Sequence, residues 1–260
     1  MARTARALRS LFEQLFLRRE LRFWTVATTR AETIDIPGLR GLRTRARALR
    51  GRLDDVIRVA DARLALPALG SNLFPVPQCT DWSWRPEMWR GPIRNAGVAS
   101  VPSGTQLGDE VTLHHDCLRS ELSLRQIRNN RESDLAPFGM TMEVYAFDGT
   151  FLSLVLELPK GAIEGLRQNH LIRLTMLVEL EKPLEIFARL NIAHGPNTEQ
   201  VTRELPRPGP ETMVEFDLAY TNLNEKRIEK AWVDLIFEDP QMNQIVLRDV
   251  TFARCPRAEF

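Results

Sequence analysis

Cysteine is scarce in this chain: Cys79, Cys117 and Cys255 are odd in number and far apart. That spacing matches no disulfide framework and no zinc knuckle, and it fits a reducing compartment. Lysine is nearly absent as well, 4 residues against 31 arginines. A GC-rich coding sequence explains that bias as readily as a nucleic-acid ligand does. Long apolar runs are also missing. The stretch Leu11 to Leu17 contains Glu13 and Gln14 and runs straight into Arg18, Arg19 and Glu20, so it is no signal-peptide core. No segment approaches the roughly 20 apolar residues of a membrane span. Nor does a glycine-rich phosphate loop, a nucleophile motif or a metal-ligand spacing occur anywhere. The expectation is a cytoplasmic protein, peripheral at a membrane at most, with no cofactor and no metal.

What is present is enough apolar matter for a sizeable core, 43% of 260 residues, and an uneven charge distribution. Residues 1–66 hold 15 Arg, no Lys and 7 acidic residues. This is a net +8, leaving −7 for the remainder of a chain whose total is +1. A basic segment beside an acidic body points to an anionic partner or to docking of one half on the other. Leu8, Leu11, Phe12 and Leu15 fall at i, i+3, i+4 and i+7 between arginines, predicting a basic amphipathic helix continued by Phe23 and Trp24. Residues 3–24 are therefore a candidate contact for an anionic membrane surface. Leu42, Ala46, Leu49, Leu53, Val56 and Ala60 step by 4, 3, 4, 3 and 4, predicting a second helix over about 39–65. The arginines between 40 and 52 have no interleaved aromatics, which disfavours nucleic acid.

Residues 67–104 are rich in Pro, Gly and Trp and read as a connecting segment with one or two short strands, merging into a β-domain over 105–260. There the apolar residues alternate. Met140, Met142, Val144 and Ala146 are followed by a tight turn at Asp148-Gly149 and by Leu152, Leu154, Leu156 and Leu158, which predicts a hairpin. Ile172 to Leu180, Ile186 to Ile192, Val214 to Tyr220, Val233 to Phe237 and Val246 to Phe252 repeat the period of two. Roughly nine or ten such strands with no intervening helix predict two stacked antiparallel sheets. The expected fold is mainly β, a jelly-roll-like sandwich carrying two N-terminal α-helices.

The strand AWVDLIFED and the final strand IVLRDVTFAR, with Asp249-Val250, resemble the closing strands of carbohydrate-binding-module-like jelly rolls, over the chain from about residue 73 onward. The segments HGPNTEQ (194–200) and GTQLGDEVTL (104–113) are similar to an alphaproteobacterial family of unknown function. The first resemblance implies binding of a glycan or another ligand on a sheet face or at its loops. The second implies no activity.

With the apolar faces turned inward, the opposite faces present Glu143 and Tyr145, Arg173 and Thr175, Arg189 and Asn191, Glu215 and Asp217, and Trp232 and Asp234. Sugar recognition uses such a mixture, an aromatic plane with amide, carboxylate and guanidinium groups. Tyr145, Arg189, Asn191, His194, Asp217 and Trp232 are the candidate ligand-binding residues, His194 through its loop. Ordinary wet-face charge pairing, for example of Arg189 with Glu215 or Asp217, is the alternative reading. His114 with Asp116 and His115 with Cys117 lie on opposite strand faces, so each pair falls short of a metal site. Glu215 and Asp217 have the spacing of paired carboxylates, without an independent sign of a general acid. The expected function is a non-catalytic ligand-binding sandwich, glycan first. A protein-interaction role comes second and a hydrolase third, and the sequence gives no oligomeric state.

Overall fold

The computed structural model describes residues 2–68, 73–131, 133–206 and 211–257, with the side chains of all of these except 2–16, 62–63 and 65–68. The chain forms two compact units, residues 1–56 and 57–260. In the first, α1 (Ala2–Ala31) leads through a short turn into α2 (Ile36–Ala68), whose residues from 57 on belong to the second. Pro37 falls in the first turn of α2, where its missing N–H costs nothing, and the Leu39 amide donates to the Asp35 carbonyl at 2.9 Å. Both helices exceed the expected bounds. The Leu8 to Leu15 stripe falls on side chains outside the described ones.

The second unit is an antiparallel sandwich. Its strands in chain order are β1 (Trp82–Trp84), β2 (Gly97–Ala99), β3 (Thr105–Leu107), β4 (Val111–His115), β5 (Leu122–Arg128), β6 (Phe138–Val144), β7 (Leu152–Glu157), β8 (His170–Leu180), β9 (Ile186–His194), β10 (Asn197–Glu204), β11 (Thr212–Asp217), β12 (Ile228–Phe237) and β13 (Asn243–Pro256). Single helical turns, α3 (Glu87–Arg90) and α4 (Lys160–Ile163), interrupt them. The first sheet has the order β11-β8-β13-β6-β5-β2, with β1 added on β13; the second has the order β10-β9-β12-β7-β4-β3. From β6 to β13 the chain changes sheet at every connection except the β9–β10 hairpin, so the two layers are sewn together by many crossings.

Period-two alternation puts Met140, Met142, Ile172, Leu174, Met176, Val250 and Phe252 of the first sheet into one buried cluster with Leu154, Leu156, Leu190, Ile192, Val233 and Leu235 of the second. Each such side chain contributes about 1.5–3 kcal/mol on leaving water. One sequence expectation fails here. The hairpin expected at Asp148-Gly149 does not form, because β6 pairs with β5 and β13 whereas β7 pairs with β4 and β12. The connection is an arch between sheets, held by the Asp116 carboxylate, which accepts from the Thr150 amide at 2.7 Å and the Phe151 amide at 3.1 Å.

The Trp-rich segment completes the first sheet. β13 slips register between Leu247 and Asp249, leaving Arg248 as a bulge residue. Beyond the bulge, β1 takes the edge of β13 that β6 has vacated, pairing Trp82 with Arg254 and Trp84 with Phe252. Trp89 of α3 is fully buried and its indole N–H donates to the Leu247 carbonyl at 2.9 Å. Arg85 grips Asp249 bidentately, at 2.8 and 2.7 Å, with both side chains buried. The Asn129 amide donates to the carbonyls of Ala136, Phe138 and Arg248, tying the bulge to the β5–β6 loop. Gly139 is required beside it, since a Cβ there would stand 3.0 Å from the Leu247 carbonyl oxygen. At the opposite end of the sandwich, the Arg203 Nε of β10 donates to the Glu215 carbonyl of β11 at 3.2 Å, joining the edge strands of the two sheets.

Candidate functional site

The outer face of the second sheet is built by β9, β10 and β12. Ala188, Leu190 and Ile192 point into the core, so Phe187, Arg189 and Asn191 point away from it. The same alternation turns Trp232 and Asp234 outward from Ala231, Val233 and Leu235. Register then sets these residues side by side. Asn191 lies opposite Gln200 and Trp232, and Trp232 lies opposite Glu157. One step along, Arg189 lies opposite Thr202 and Asp234, and Asp234 lies opposite Val155. A further step brings Phe187 opposite Ile236. Two rows of polar groups thus cross the sheet among half-buried Trp232, Phe187, Val155 and Ile236.

Hydrogen bonds fix the polar groups. Oδ2 of Asp234 accepts from Arg189 Nε at 2.9 Å, from Arg189 Nη2 at 2.7 Å and from the Asn191 amide at 3.0 Å. Asn191 Oδ1 accepts from the Gln200 amide at 2.9 Å. Asp234 and Asn191 are 5% and 1% exposed, so they form a buried base for the outward groups. Arg189 keeps 37% of its side chain exposed and Gln200 is exposed. Lys230 places its ammonium 4.9 Å from the Trp232 ring centroid. Chemically, this is a planar aromatic surface beside preset donors and acceptors, the requirement for binding vicinal hydroxyls.

The other expected site residues lie elsewhere. Tyr145 is on the outer side of the first sheet, where its hydroxyl donates to Glu143 at 2.9 Å. That carboxylate raises the Tyr145 pKa, and bonds from Ser123 and Tyr145 lower that of Glu143. Asp217, also on the first sheet, accepts from the Ala219 amide at 3.0 Å and faces Arg257 at 3.5 Å. Sheets stack about 10 Å apart, so one small ligand cannot touch both outer faces. His194 is not a loop residue: it ends β9 on the core side, 4% exposed, with Glu199 3.8 Å from its Nε2. The loop expected there is only Gly195-Pro196, since His194 pairs directly with Asn197. Gly195, at φ +59°, followed by proline, gives the type II′ turn that closes a two-residue hairpin.

Arg189 pairs with Asp234, not with Glu215 or Asp217. Glu215 is held by Arg173 at 2.6 Å, so both carboxylates of the proposed acidic pair are engaged by cations of the fold. His115 faces inward, its Nε2 2.8 Å from the Val101 carbonyl oxygen, and no metal-holding cluster occurs among the described residues. Phe187 completes the constellation beyond the residues named from the sequence, while Asp234, expected on the outward face, and Gln200, expected in the 194–200 segment, join it although neither was among the candidate ligand-binding residues. A Gly-Pro turn after an apolar strand was the available signal for β10, which returns beside β9 and carries Gln200.

A family model described as a family of unknown function, DUF6478, matches residues 3–260. No curated protein matches the chain by sequence. Among solved structures, the chain is similar to the enzymatically active domain of tailspike protein 4 of bacteriophage CBA120, with a TM-score of 0.39 and 8% identity over 59% of this chain. It spans only 21% of that protein. It is also similar to a family 11 carbohydrate-binding module of Clostridium thermocellum in complex with a β-1,3-1,4-mixed-linked tetrasaccharide, with a TM-score of 0.38, 10% identity and coverage of 64% and 97% of the two chains. A family 22 xylan-binding domain of Paenibacillus barcinonensis gives a TM-score of 0.34 and 10% identity, over 65% of this chain and 97% of that one.

Proposed function

We propose, from the premise that this chain belongs to the DUF6478 family of unknown function, that it is a non-catalytic binding protein. Its sandwich takes a glycan-like, hydroxyl-rich ligand on the outer face of the second sheet. The observation that carries this reading is the row Gln200–Asn191–Trp232 lying beside the Arg189–Asp234 pair, on a base whose hydrogen bonds are already made. Preset polar groups lose little entropy on binding, and a sugar's C–H face supplies what the indole needs. Arg189 spends its charge on Asp234 while Nη1 remains available as a donor. The exposed Glu157 opposite Trp232 and the Lys230 ammonium beside its ring offset each other, leaving the row with little net charge. A neutral glycan therefore suits this face better than a uronic acid would.

A glycan-array screen of the full chain tests the proposal, with Trp232→Ala and Arg189→Ala as partners. Wild-type protein is expected to bind neutral oligosaccharides. Each variant is expected to lose about fivefold or more in affinity, since stacking and one good hydrogen-bonding group are each worth roughly 1 kcal/mol or more. Trp232→Ala should keep thermal unfolding within a few degrees, whereas Arg189→Ala also strips the buried Asp234 carboxylate of two bonds and should lower the unfolding temperature further. No binding by the wild type, or unchanged binding by both variants, would overturn it.

A further inference from the structure

The α1–α2 unit has an amphipathic surface that the sheet face does not use. On α2, Leu42, Ala46, Leu49, Leu53 and Val56 form one stripe, with Arg45 and Arg52 seven residues apart on one flank and Arg43 and Arg50 seven apart on the other. Leu42, Ala46 and Leu49 are half-buried, but Leu53 and Val56 are 53% and 66% exposed. On α1, Leu17 and Leu21 are similarly open. Arg19, Phe23 and Trp24 of α1 and Arg45, Leu49 and Arg52 of α2 line a groove of about 540 Å³ between the helices. The Arg45 guanidinium lies 5.6 Å from the Phe23 ring centroid.

Residues 17–56 contain ten arginines, no lysine and five acidic residues. Arg50 has Asp54 at 3.5 Å and Glu20 lines the same groove as Arg19, Arg45 and Arg52, yet the arginines of 17–56 outnumber its carboxylates ten to five. A second copy laid on this surface would bring arginine rows against arginine rows. Nucleic acid would take up the charge but leave the leucines and valine in water. The headgroup boundary of an anionic bilayer satisfies both, since acyl chains accept the apolar stripe and phosphates accept guanidinium forks bidentately. No helix among the described residues is long and apolar enough to cross a membrane, which leaves the hairpin lying on the surface.

We propose that the α1–α2 hairpin is a docking surface for anionic lipid. This stands on observations separate from the sheet-face reading, and either can fail alone. The test is co-sedimentation of the full chain with phosphatidylcholine vesicles and with vesicles that also contain phosphatidylglycerol. Binding is expected only with the anionic lipid and is expected to weaken as salt is added. Arg45→Ala with Arg52→Ala should lower the partition coefficient about thirtyfold, because each arginine near such a surface is worth about 1 kcal/mol. Arg45→Lys with Arg52→Lys should restore most of it, and Leu53→Glu with Val56→Glu should abolish pelleting. Near-ultraviolet circular dichroism of each variant reports that the fold is kept. Absence of pelleting, equal pelleting with neutral vesicles, or no response to the arginine variants would overturn the proposal. So would lipid-independent dimerisation lost on Leu53→Glu without vesicle binding, which would assign the stripe to a second copy, and so would salt-sensitive binding to DNA alone.

Discussion

Asp234 gathers two bonds from Arg189 and one from Asn191 on a single oxygen, and this arrangement orients the exposed groups beside Trp232. The alternation that turned Arg189, Asn191 and Trp232 outward was readable from sequence, because adjacent core residues on both strands are aliphatic. That Tyr145 and Asp217 lie on the other sheet was not. Sheet membership depends on which edges pair across tens of residues, and a local pattern carries no record of that. Another buried group, His170, yields a pH prediction. It is 6% exposed, accepts from the Arg167 amide at 2.9 Å and lies 3.5 Å from Asp81. Burial lowers its pKa below the ordinary 6.5, with Asp81 opposing and Arg254 reinforcing that shift. A base whose folded pKa is depressed adds stability above its unfolded value and loses it as pH falls through the folded one. The urea midpoint should therefore fall as pH drops below 6.5. His170→Asn should flatten that decline, and an unchanged slope would show that His170 is not responsible.

The strands that alternated cleanly were legible as elements, whereas β10 was not. Its sequence NTEQVTRE has no apolar face because it is an exposed edge strand. Its strand character comes from pairing with β9 after a two-residue turn. The arch from β6 to β7 was misread for a related reason. An Asp-Gly pair specifies a reversal of the backbone, and a reversal serves a crossing between sheets as well as a hairpin. The β13 bulge gives the test at this scale. Asn129→Ala removes three donor contacts to buried or half-buried carbonyls, at about 2–4 kcal/mol in total. Chemical denaturation should show that loss with the slope unchanged. A cost below about 0.5 kcal/mol would mean that water replaces the amide.

For the molecule as a whole, the architecture was readable because two wet-faced antiparallel layers need alternation in nearly every strand. The role of residues 73–96 was not readable. Its tryptophans belong to the core through backbone partners as distant as Leu247, and such contacts have no local periodicity. Because the sandwich cluster is drawn from residues 88–252, a chain lacking residues 1–56 should still unfold in one cooperative transition. Calorimetry checks this, and a broad transition without a sharp heat peak would show that the helices are needed for the fold.

The bond from Arg203 to the Glu215 carbonyl has a further consequence for how the protein behaves in a crowded solution. A free strand margin is a template on which identical chains can stack into fibrils. Here a guanidinium from one margin occupies a backbone acceptor of the other, and β10 surrounds it with charged and hydroxyl side chains. That contact takes one backbone acceptor of β11 out of reach of an incoming strand.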